Sequence, residues 1–504
     1  MNYSTRVLIA VIFASAAADS AFAGVNIYAS PTGLPTHNGS INSPVDLATA
    51  LSSPAVPLGA TIWLRGGTYA GFYTSYLTGT QAKPITVRGY PGERATISDN
   101  RNWADGATLH IYGAWTIYQD FEVTNTGTDR LGPAPTAAPF RPMGIEVEAP
   151  YTKLINLVIH DTGHGMGVWT NAQGAEMYGN IIYNCGSHNT PGVMNMYGHG
   201  MYIQNDTDQK LISDNIIFNQ FGWGISIYPN PGGIKNITME GNIIFDNGIN
   251  TSPTQRYNAV GVSGYPPYTS NGIIMSNNYT YDSGPQVWGS VESDANMCLG
   301  CYDQLQNGSL SVTGNYFAGG MPSGILKGWQ QLTFSGNTTV GFDAFYLLNE
   351  PQQGTYSWNN NTYAGGNNAS PGALFLFQNS LYNFTGWQAA SGFDAASQYI
   401  PGRPTSVAAF VRPNAYEAGR GNVVVYNWPL RSSITLDLSP ILTIGSTYKI
   451  VNVLNYYGPP VASGTYTGGL VTVPLSAVQP VPAIGWTAVP SSGPEFNAFV
   501  VTSQ

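Results

Sequence analysis

The sequence predicts an all-β protein built as a parallel β-helix, a solenoid in which each coil contacts only its neighbours. The main observation is a repeated asparagine that opens short apolar runs such as Asn180-Ile-Ile-Tyr and Asn215-Ile-Ile-Phe. The repeats begin at Asn156, Asn180, Asn215, Asn242, Asn278, Asn315, Asn337 and Asn361, with steps of 24, 35, 27, 36, 37, 22 and 24 residues. The short steps match one coil. The long steps match the same coil with an inserted loop, a length class in which loops are often functional.

Composition supports the same fold class. The chain has 504 residues, which suits a solenoid with a small additional domain better than one compact core. Its 60 glycines and 34 prolines against 9% charged residues indicate many turns and little surface helix. The net charge of −9 argues against nucleic acid as a partner, because such binding needs clustered lysine and arginine.

The N-terminus has the pattern of a secretory signal peptide over residues 1–23. Arg6 precedes an apolar stretch over residues 7–18, and Ala21-Phe22-Ala23 forms a small-x-small cleavage site. The apolar stretch is too short for a membrane span, and no other uninterrupted apolar run reaches about 18 residues. We therefore expect a secreted monomer, extracellular or periplasmic, without a membrane span.

The first elements of the mature chain predict a capped solenoid over residues 24–400. Asn42 or Ser43 can cap a short N-terminal helix that has Pro44 in its first turn and covers the open end. Residues 61–69 and 84–90 then alternate apolar and polar side chains, as half-buried strands do. Near the other end, residues 387–394 break the strand rhythm and predict a short closing helix.

A second domain is predicted over residues 405–504. Residues 401–404 read Pro-Gly-Arg-Pro, as a linker does, and short alternating runs follow, which is typical of a small β-sandwich. We expect it to cover the exposed C-terminal edge of the solenoid, because an uncovered edge invites pairing. A sugar-binding module is the alternative.

These runs carry a resemblance. Residues 28–33, 61–69 and 84–97, joined to the later asparagine-led coils, resemble the secreted right-handed parallel β-helix proteins of the pectate-lyase-like superfamily. The resemblance covers roughly residues 25–400. It implies the right-handed fold but not one activity, because that superfamily holds lyases, hydrolases, epimerases and non-catalytic members.

A candidate groove follows from the register. Downstream of each asparagine strand, a further strand begins with the pattern Gly-apolar-x-apolar, as in Gly144-Ile-Glu-Val and Gly200-Met-Tyr-Ile. Alternation then directs one set of side chains outward, and coils about 4.8 Å apart would join them into one patch. This outward set is Glu146, Glu148, Trp169, Tyr202, Gln204, Ser226 and Tyr228. Loops over residues 126–143, 186–198 and 248–258 enter before this strand and would form a wall beside the patch.

Aromatic faces and side-chain amides suit sugar rings, so the predicted ligand is an extracellular polysaccharide. The expected substrate-binding residues are Arg141, Trp169, Gln204, Trp223, Tyr228 and Arg256. His164, His199 and Trp223 occupy the same corner of successive coils. A histidine there could shuttle protons, or it could hydrogen-bond backbone and serve structure alone. Asp161 could orient an imidazole or supply turn polarity.

Three functions remain open. In a lyase, Arg141 or Arg256 would neutralise a uronate carboxylate, His199 or His164 would take the C5 proton, and Tyr202 would protonate the leaving oxygen. In a hydrolase, Glu146 and Glu148 would be acid and base. Their spacing of about 6.5–7 Å along a strand overlaps the lower end for inverting enzymes. The third function is a non-catalytic glycan-binding or structural solenoid.

The sequence predicts no metal ligand set and no certain cofactor, and it leaves bound calcium open. The paired aspartates of polygalacturonase-like hydrolases, the Asp-Pro-His-Asp epimerase motif and the aspartate cluster of calcium-dependent pectate lyases are not found. Cys298 and Cys301 suit a local disulfide in an oxidising compartment, which leaves Cys185 free.

Overall fold

The computed structural model describes residues 25–132, 140–188, 197–229, 232–251, 259–264, 267–283, 295–301, 306–349, 354–365 and 374–503. Within them the chain winds through three sheets of 12 strands each, in the repeated order sheet 1, sheet 2, sheet 3. The order differs only at the ends: the first two strands both belong to sheet 1, and the last two, Ser380–Tyr382 and Gln398–Pro401, belong to sheets 3 and 2. This is the predicted right-handed parallel β-helix. The predicted signal peptide lies outside the described residues. No described helix is long and apolar enough to span a membrane.

The strand bounds are as follows. Sheet 1 contains Asn26–Ala29, Thr61–Leu64, Ile85–Gly89, Thr116–Gln119, Lys153–Ile155, Glu176–Tyr178, Lys210–Ser213, Ile234–Glu240, Ser270–Ser276, Asn307–Thr313, Trp329–Ser335 and Thr355–Asn359. Sheet 2 contains Gly67–Ala70, Ala95–Asp99, Glu122–Asn125, Val158–His160, Ile181–Tyr183, Ile216–Phe218, Ile243–Phe245, Tyr279–Tyr281, Tyr316–Ala318, Thr338–Gly341, Thr362–Gly365 and Gln398–Pro401. Sheet 3 contains Tyr73–Ser75, Ala107–Ile111, Met143–Val147, Met166–Val168, Met201–Ile203, Ile225–Ile227, Val260–Val262, Met297–Leu299, Gly324–Lys327, Asp343–Leu348, Leu374–Phe377 and Ser380–Tyr382.

The predicted alternation on sheet 3 is confirmed. Met201 and Ile203 are fully buried in the solenoid core, whereas Tyr202 between them is partly exposed on the outer face. The last pair of the sheet, Leu374–Phe377 with Ser380–Tyr382, is antiparallel. Around Tyr202 the strands pair in parallel with matched register, so Gly167 lies beside Tyr202 and Tyr202 beside Ser226. The sheet therefore presents straight outward columns, one residue from each coil, as the sequence register requires.

The asparagine column is an inward ladder at the corner between sheets 1 and 2. From Asn180 to Asn361 each side-chain amide donates to the Oδ1 of the next asparagine, as in Asn215 to Asn242 at 2.9 Å. The same amide also donates to a backbone carbonyl, which for Asn215 is that of Met177. Every rung uses both ends of a planar amide, so a buried polar column is fully satisfied.

Asn156 is not part of this ladder, and its predicted place is wrong by one residue. Its coil pairs Val158 with Ile181, so Leu157 lies over Asn180, and Asn156 lies over Gly179. Asn156 has φ 52° and Gly179 has φ 67°. Each coil turns this corner through a left-handed residue, and asparagine and glycine are the residues that adopt that conformation readily.

Two α-helices cover the solenoid's ends in the described part of the chain. The first is Leu47–Ser52, and its N-cap is Asp46, whose side chain accepts from the Thr49 backbone amide. The predicted cap at Asn42 or Ser43 is therefore wrong, because the chain stays extended until Asp46. The second helix is Phe384–Ser391, and it starts three residues earlier than predicted because Asn383 caps it.

The C-terminal domain contains a five-stranded antiparallel sheet and a two-stranded sheet. The strands are Ala408–Pro413, Arg420–Tyr426, Ser433–Asp437, Thr447–Asn452, Ala462–Thr465, Leu470–Pro474 and Phe496–Ser503, with a 3-10 turn at Val453–Asn455. Val423 and Phe499 from the larger sheet pack with Leu436 and Val473 from the smaller sheet, as in a sandwich.

The expectation that this domain covers the C-terminal edge of the solenoid is not what the described contacts have. The domain lies along the outer face of sheet 2, where Phe496 packs against Phe245 and Tyr281. Tyr426 of the same domain donates a hydrogen bond to the Thr280 carbonyl. The outward side chains of sheet 2 between Val158 and Ala364 are largely apolar because they pack against this domain.

Cys298 and Cys301 form a disulfide, and Cys185 is a buried free thiol. Cys298 belongs to the outward column of sheet 3, next to Gly261 of the preceding coil. The bridge therefore ties a sheet 3 strand to the turn that follows it.

Candidate functional site

The corner between sheets 2 and 3 is built on glycine. A Cβ on Gly144 would lie 2.6 Å from the carbonyl oxygen of Gly165, and one on Gly165 would lie 2.5 Å from that of Gly200. These close approaches explain the Gly-apolar-x-apolar pattern, because a side chain there would push neighbouring coils apart. The tight corner brings the residue before each glycine into a column.

That column is a stack of His164, His199 and Trp223. The two imidazole rings stack with centroids 4.9 Å apart, and His199 is 5.7 Å from the indole of Trp223. The His199 backbone amide donates to Nδ1 of His164 at 3.0 Å, and the Trp223 backbone amide donates to Nδ1 of His199 at 3.2 Å. Each imidazole therefore satisfies the backbone of the next coil.

These bonds fix the tautomer. A nitrogen that accepts from an amide carries no hydrogen, so the neutral ring carries its hydrogen on Nε2. Burial lowers the pKa of His164 to about 4, and burial together with His164 lowers the pKa of His199 well below its usual range. Both rings are thus neutral near pH 7 and have one Nε2–H donor each.

A cavity of about 260 Å³ opens beside this stack on the outer face of sheet 3. His164, Trp169 and Tyr202 line it together with Phe140 and Tyr197. The Tyr202 ring stands edge-on to its neighbours, with centroids 5.8 Å from His164 and 5.2 Å from Trp169. Tyr202, Trp169 and His164 thus meet in this cavity, with aromatic walls around a polar corner.

His199 is more deeply placed than His164. It is 8% exposed, and its ring is 5.9 Å from the Tyr202 ring in an edge-on arrangement. Among the described residues that line the cavity, His164 is the imidazole and His199 lies behind it. Of the two histidines, His164 is therefore the one able to meet a ligand directly.

Next to the cavity, Glu146 and Glu148 form a cluster with His110. The ligand-type atoms of these three side chains all lie within 4.8 Å of one another. The Trp169 indole donates to Glu146 Oε1 at 2.8 Å, and Asn171 donates to Glu148 Oε2 at 3.2 Å. The two carboxylates approach more closely than strand spacing alone predicts, because their side chains converge above the strand.

Arg141 lines the cavity, but its guanidinium points into the loop wall. It donates to the backbone carbonyls of Asp161, Gly127 and Asn125 at 2.8, 2.9 and 3.2 Å and is 3% exposed. Burial, then the adjacent Arg130 guanidinium, lower its pKa. The expected role as a carboxylate clamp is therefore not supported, because its donors already hold the loop.

Asp161 contacts an imidazole, but it is that of His160 and not that of His164. It accepts from His160 Nδ1 at 2.7 Å and from the Ile484 backbone amide at 2.7 Å, and it pairs with Arg130. His160 Nε2 binds Glu122 at 2.7 Å. This buried network joins sheet 2 to the C-terminal domain and lies away from the cavity.

Of the other residues predicted to bind substrate, some are buried and some are partly exposed. Gln204 was expected to bind substrate, but it is 2% exposed and its amide donates to the Tyr228 carbonyl. It is therefore not available to a ligand. Trp223 is 4% exposed and its ring covers Gly261. Ser226 is buried as well. Tyr228 and Trp169 remain partly exposed. Arg256 lies outside the described residues.

Two site residues escape prediction from sequence. His110 lies on the coil before Glu146 and pairs with it in register, but its strand lacks the initial glycine that marks the later copies. Lys210 lies at the start of a sheet 1 strand, where lysine usually indicates surface. Its ammonium is buried and donates to the carbonyls of Trp169 at 2.9 Å and Gln204 at 2.6 Å.

Lys210 therefore holds the ends of two sheet 3 strands from inside the solenoid. Burial lowers its pKa to about 7. The carbonyl dipoles that surround the ammonium compensate for its removal from water. Only the register of the following coil could have suggested this position, because no local pattern distinguishes it.

Comparison with known proteins agrees with this architecture. Residues 27–265 match a family model described as Pel9A-like, right handed beta helix region. The chain is similar to the crystal structure of pectate lyase Pel9A at 18% identity, covering 66% of this chain and 79% of that one, with a TM-score of 0.44. It is also similar to an alginate lyase from Paenibacillus sp. str. FPU-7 at 16% identity, covering 70% and 98%, with a TM-score of 0.42. No curated protein matches the chain in sequence.

A third similar structure is GH136 lacto-N-biosidase from Eubacterium ramulus, at 13% identity, covering 67% of each chain with a TM-score of 0.43. Three coiled parallel sheets with an inward asparagine ladder and an outward groove define a right-handed parallel β-helix protein. Over residues 27–265, the chain is similar to the right-handed β-helix region that defines the Pel9A-like family model.

Proposed function

We propose that this protein is a polysaccharide-acting enzyme that binds a glycan along the outer face of sheet 3 and cleaves it at Tyr202. The observation that carries the proposal is the cavity in which Tyr202, Trp169 and His164 meet. It combines aromatic faces for sugar rings with polar donors at one corner. The matched family takes its name from Pel9A, a pectate lyase.

The platform for the glycan extends beyond the cavity toward the N-terminus. Tyr76 and Tyr112 stack with centroids 5.7 Å apart and are 60% and 48% exposed. Register places them in the same outward column as Glu148 and Trp169. Exposed aromatic faces in line with the cavity suit successive sugar rings of one chain.

The preferred reaction is β-elimination on a uronate-containing glycan. The C5–H bond breaks, its electron pair forms the C4=C5 double bond, and the C4–O bond breaks as the leaving oxygen gains a proton. We assign the proton exchange to Tyr202, which removes the C5 proton as phenolate and protonates the leaving oxygen as phenol. A histidine base is less suited, because Nδ1 of His164 and of His199 each accept a backbone amide.

His164 then serves as a donor to the substrate. Its Nε2–H is fixed by the tautomer and would stabilise negative charge that develops on the substrate carboxylate during proton removal. A neutral donor loses no strength with pH in the neutral range, since the pKa of His164 is lowered to about 4 by burial. The catalytic roles therefore fall to Tyr202 and His164.

Tyr202→Phe tests this proposal directly. The purified mature chain is incubated with a panel of acidic and neutral polysaccharides, and product is followed by ultraviolet absorbance of the new double bond and by reducing ends. We expect kcat to fall by about 10²–10⁴-fold with KM nearly unchanged, because one proton-transfer group is lost. Tyr268→Phe is the matched control, since it removes the same oxygen from an exposed tyrosine outside the cavity, and its kcat should equal that of the wild type.

Full activity in Tyr202→Phe would refute the assignment. Reducing ends without the double bond would favour the second candidate, a glycoside hydrolase that uses Glu146 and Glu148. The specific observation for that candidate is that their nearest carboxylate oxygens lie within 4.8 Å, below the separation of inverting enzymes and closer to that of retaining ones. Glycan binding without either product on the whole panel would favour a non-catalytic binding protein.

A further inference from the structure

A three-residue cluster beside the cavity has the donor set of a metal site. His110 and Glu146 are register partners on adjacent strands, Ala107–Ile111 and Met143–Val147, and Glu148 follows on the same face. One nitrogen or oxygen atom from each residue lies within 4.8 Å of the other two. All three side chains are partly buried on the outer face of sheet 3.

The distance between His110 and Glu146 suits two ligands of one ion better than a direct hydrogen bond. Nδ1 of His110 is 3.5 Å from Oε2 of Glu146. A direct N–H···O bond is usually about 2.9 Å. Two ligands at about 2.0–2.1 Å from a tetrahedral ion are about 3.3–3.4 Å apart. The ring is held in place by stacking on Tyr112, with centroids 4.1 Å apart.

The carboxylates are oriented as metal ligands usually are. Trp169 fixes Oε1 of Glu146, and Asn171 fixes Oε2 of Glu148. Such outer contacts leave one oxygen of each carboxylate to face His110. Within the described residues, neither Glu146 nor Glu148 forms an ion pair with lysine or arginine. Two adjacent carboxylates therefore have no cationic partner there.

His110 itself has unused capacity. Its Nε2 atom is buried and makes no hydrogen bond within the described part of the chain. Nδ1 has no bond shorter than the 3.5 Å approach to Glu146. A partly buried imidazole with a buried, unpartnered Nε2 atom is unusual, because buried polar atoms are normally satisfied. Binding of an ion between the ring and the carboxylates would satisfy Nδ1.

We propose that His110, Glu146 and Glu148 bind one divalent transition-metal ion, with Zn²⁺ as the best match. One imidazole and two carboxylates suit zinc, whereas calcium takes six to eight oxygen ligands and rarely an imidazole. Three protein ligands leave one position of a tetrahedral ion open.

The open position suggests the role of the ion. If the proposed function holds, a substrate carboxylate would occupy it and be neutralised there, which the buried Arg141 cannot do. This role rests on the proposed function, whereas the binding of the ion does not. The substrate class that fits is an acidic polysaccharide bound with its uronate beside Glu146.

The test measures binding without glycan, so that its failure and the failure of the proposed function are distinguishable. The untagged chain is stripped with a chelator, and Zn²⁺ and Ca²⁺ are titrated in separate calorimetric experiments. We expect one Zn²⁺ per chain, with Ca²⁺ bound much more weakly. His110→Ala and Glu148→Gln should abolish stoichiometric binding. Trp169→Phe should weaken it by about 10–100-fold through loss of an outer contact.

Asp437→Asn is the control, since Asp437 is an exposed carboxylate of the C-terminal domain bonded to Ser439. It should bind Zn²⁺ as the wild type does. Circular dichroism confirms that each variant is folded. No stoichiometric binding by the wild type would overturn the proposal. Equal binding by wild type and Glu148→Gln would also overturn it, because the ion would then be bound elsewhere.

Discussion

Two stacks of side chains at different corners of the solenoid both satisfy buried backbone groups, but they do so with different side-chain chemistry. At the corner between sheets 1 and 2, seven asparagines pass hydrogen bonds from coil to coil, from Asn180 to Asn361. At the corner between sheets 2 and 3, His164 and His199 each accept the next backbone amide. Both corners satisfy buried backbone, but only one of them leaves a donor for something else.

The difference follows from the groups themselves. An amide has both a donor and an acceptor, so a stacked asparagine uses both within the column. A neutral imidazole has one of each on separate nitrogens, so His164 spends Nδ1 on backbone and keeps Nε2–H. The inward ladder is consequently inert, whereas the histidine corner meets the cavity. Repetition alone therefore does not tell a structural column from a functional one.

A third histidine, His160, shows how hydrogen bonds to carboxylates at both ring nitrogens change the pKa of a buried imidazole. His160 binds Glu122 and Asp161 with one nitrogen each, at 2.7 Å in both cases. Burial acts to lower its pKa, but these two hydrogen bonds outweigh it and raise the pKa to about 9. His160 is thus charged near pH 7 while His164 is neutral. Partners, more than residue type, decide the state of each ring.

The largest expected loss of stability comes from interrupting the asparagine ladder. Asn242→Leu should destabilise the protein by about 3–5 kcal/mol, because the buried Asn215 backbone amide and one Asn215 side-chain N–H lose their acceptor, and the Ile212 carbonyl loses a donor. Urea unfolding followed by circular dichroism measures the loss. Asn156→Gly is the control outside the ladder and should cost only about 1–2 kcal/mol, since it keeps the left-handed turn and loses two bonds to the C-terminal domain. Equal losses would mean that the ladder contributes nothing beyond its turns.

A smaller expected effect is the dependence of the melting temperature on pH through His160. The pKa of His160 is about 9 in the folded protein and 6.5 for an unperturbed histidine. The ion pairs of His160 therefore contribute their full stability below pH 6.5, and this contribution is lost as the pH rises through 9. The size is about 3 kcal/mol at 1.36 kcal/mol per pKa unit. Melting temperature should therefore fall between pH 7 and 9.5, and His160→Gln should flatten that fall. A wild-type melting temperature that is constant over this range would contradict the paired state.

Glu122 gives the opposite slope at low pH. Burial acts to raise its pKa, but bonds from His160 and Arg94 lower it to about 2. Its contribution is present above pH 4.5 and is lost as pH falls through 2. Glu122→Gln should remove this part of the acid sensitivity in the same melting series.

The smallest expected loss of stability comes from His164 variants, which distinguish its role as a backbone acceptor from its role as a donor to substrate. His164→Phe leaves the His199 amide without an acceptor and should cost about 1–2 kcal/mol. His164→Asn can place an oxygen near Nδ1 and should recover most of that stability, but it is too short to replace the Nε2–H donor. Both variants should lose activity by roughly 10–100-fold if the donor acts on substrate. Restored activity in His164→Asn would assign His164 to structure alone.

Much of the fold was accessible from local pattern. Alternation at Met201-Tyr-Ile203 gave the correct outward face, and the repeat gave the correct coils, because both depend on neighbours in sequence and on a fixed strand period. Asn156 was misplaced because the turn accepts asparagine in its left-handed position as well. The helix start was misplaced because Asp46 caps better than residues nearer Pro44.

The site was predicted less completely, and the reason lies in contacts between coils. Register places Tyr202 beside Gly167, and the side-chain directions then bring Tyr202 against Trp169 and His164. Arg141 and Gln204 do not face a ligand, because carbonyls of distant turns consume their donors. The C-terminal domain covers the side of sheet 2, where the paired apolar faces of the two domains match.

The sequence by itself determined the solenoid, its asparagine ladder and the face on which a groove lies, because these follow from periodicity. Only the tertiary structure decided which nitrogen of His164 is free, which partners hold Asp161, and that His110 joins Glu146 and Glu148. Those facts depend on atoms that lie tens of residues apart in sequence and a few ångströms apart in space. Hydrogen-bond pairing at that range is set by packing between coils, which no single segment of the chain encodes.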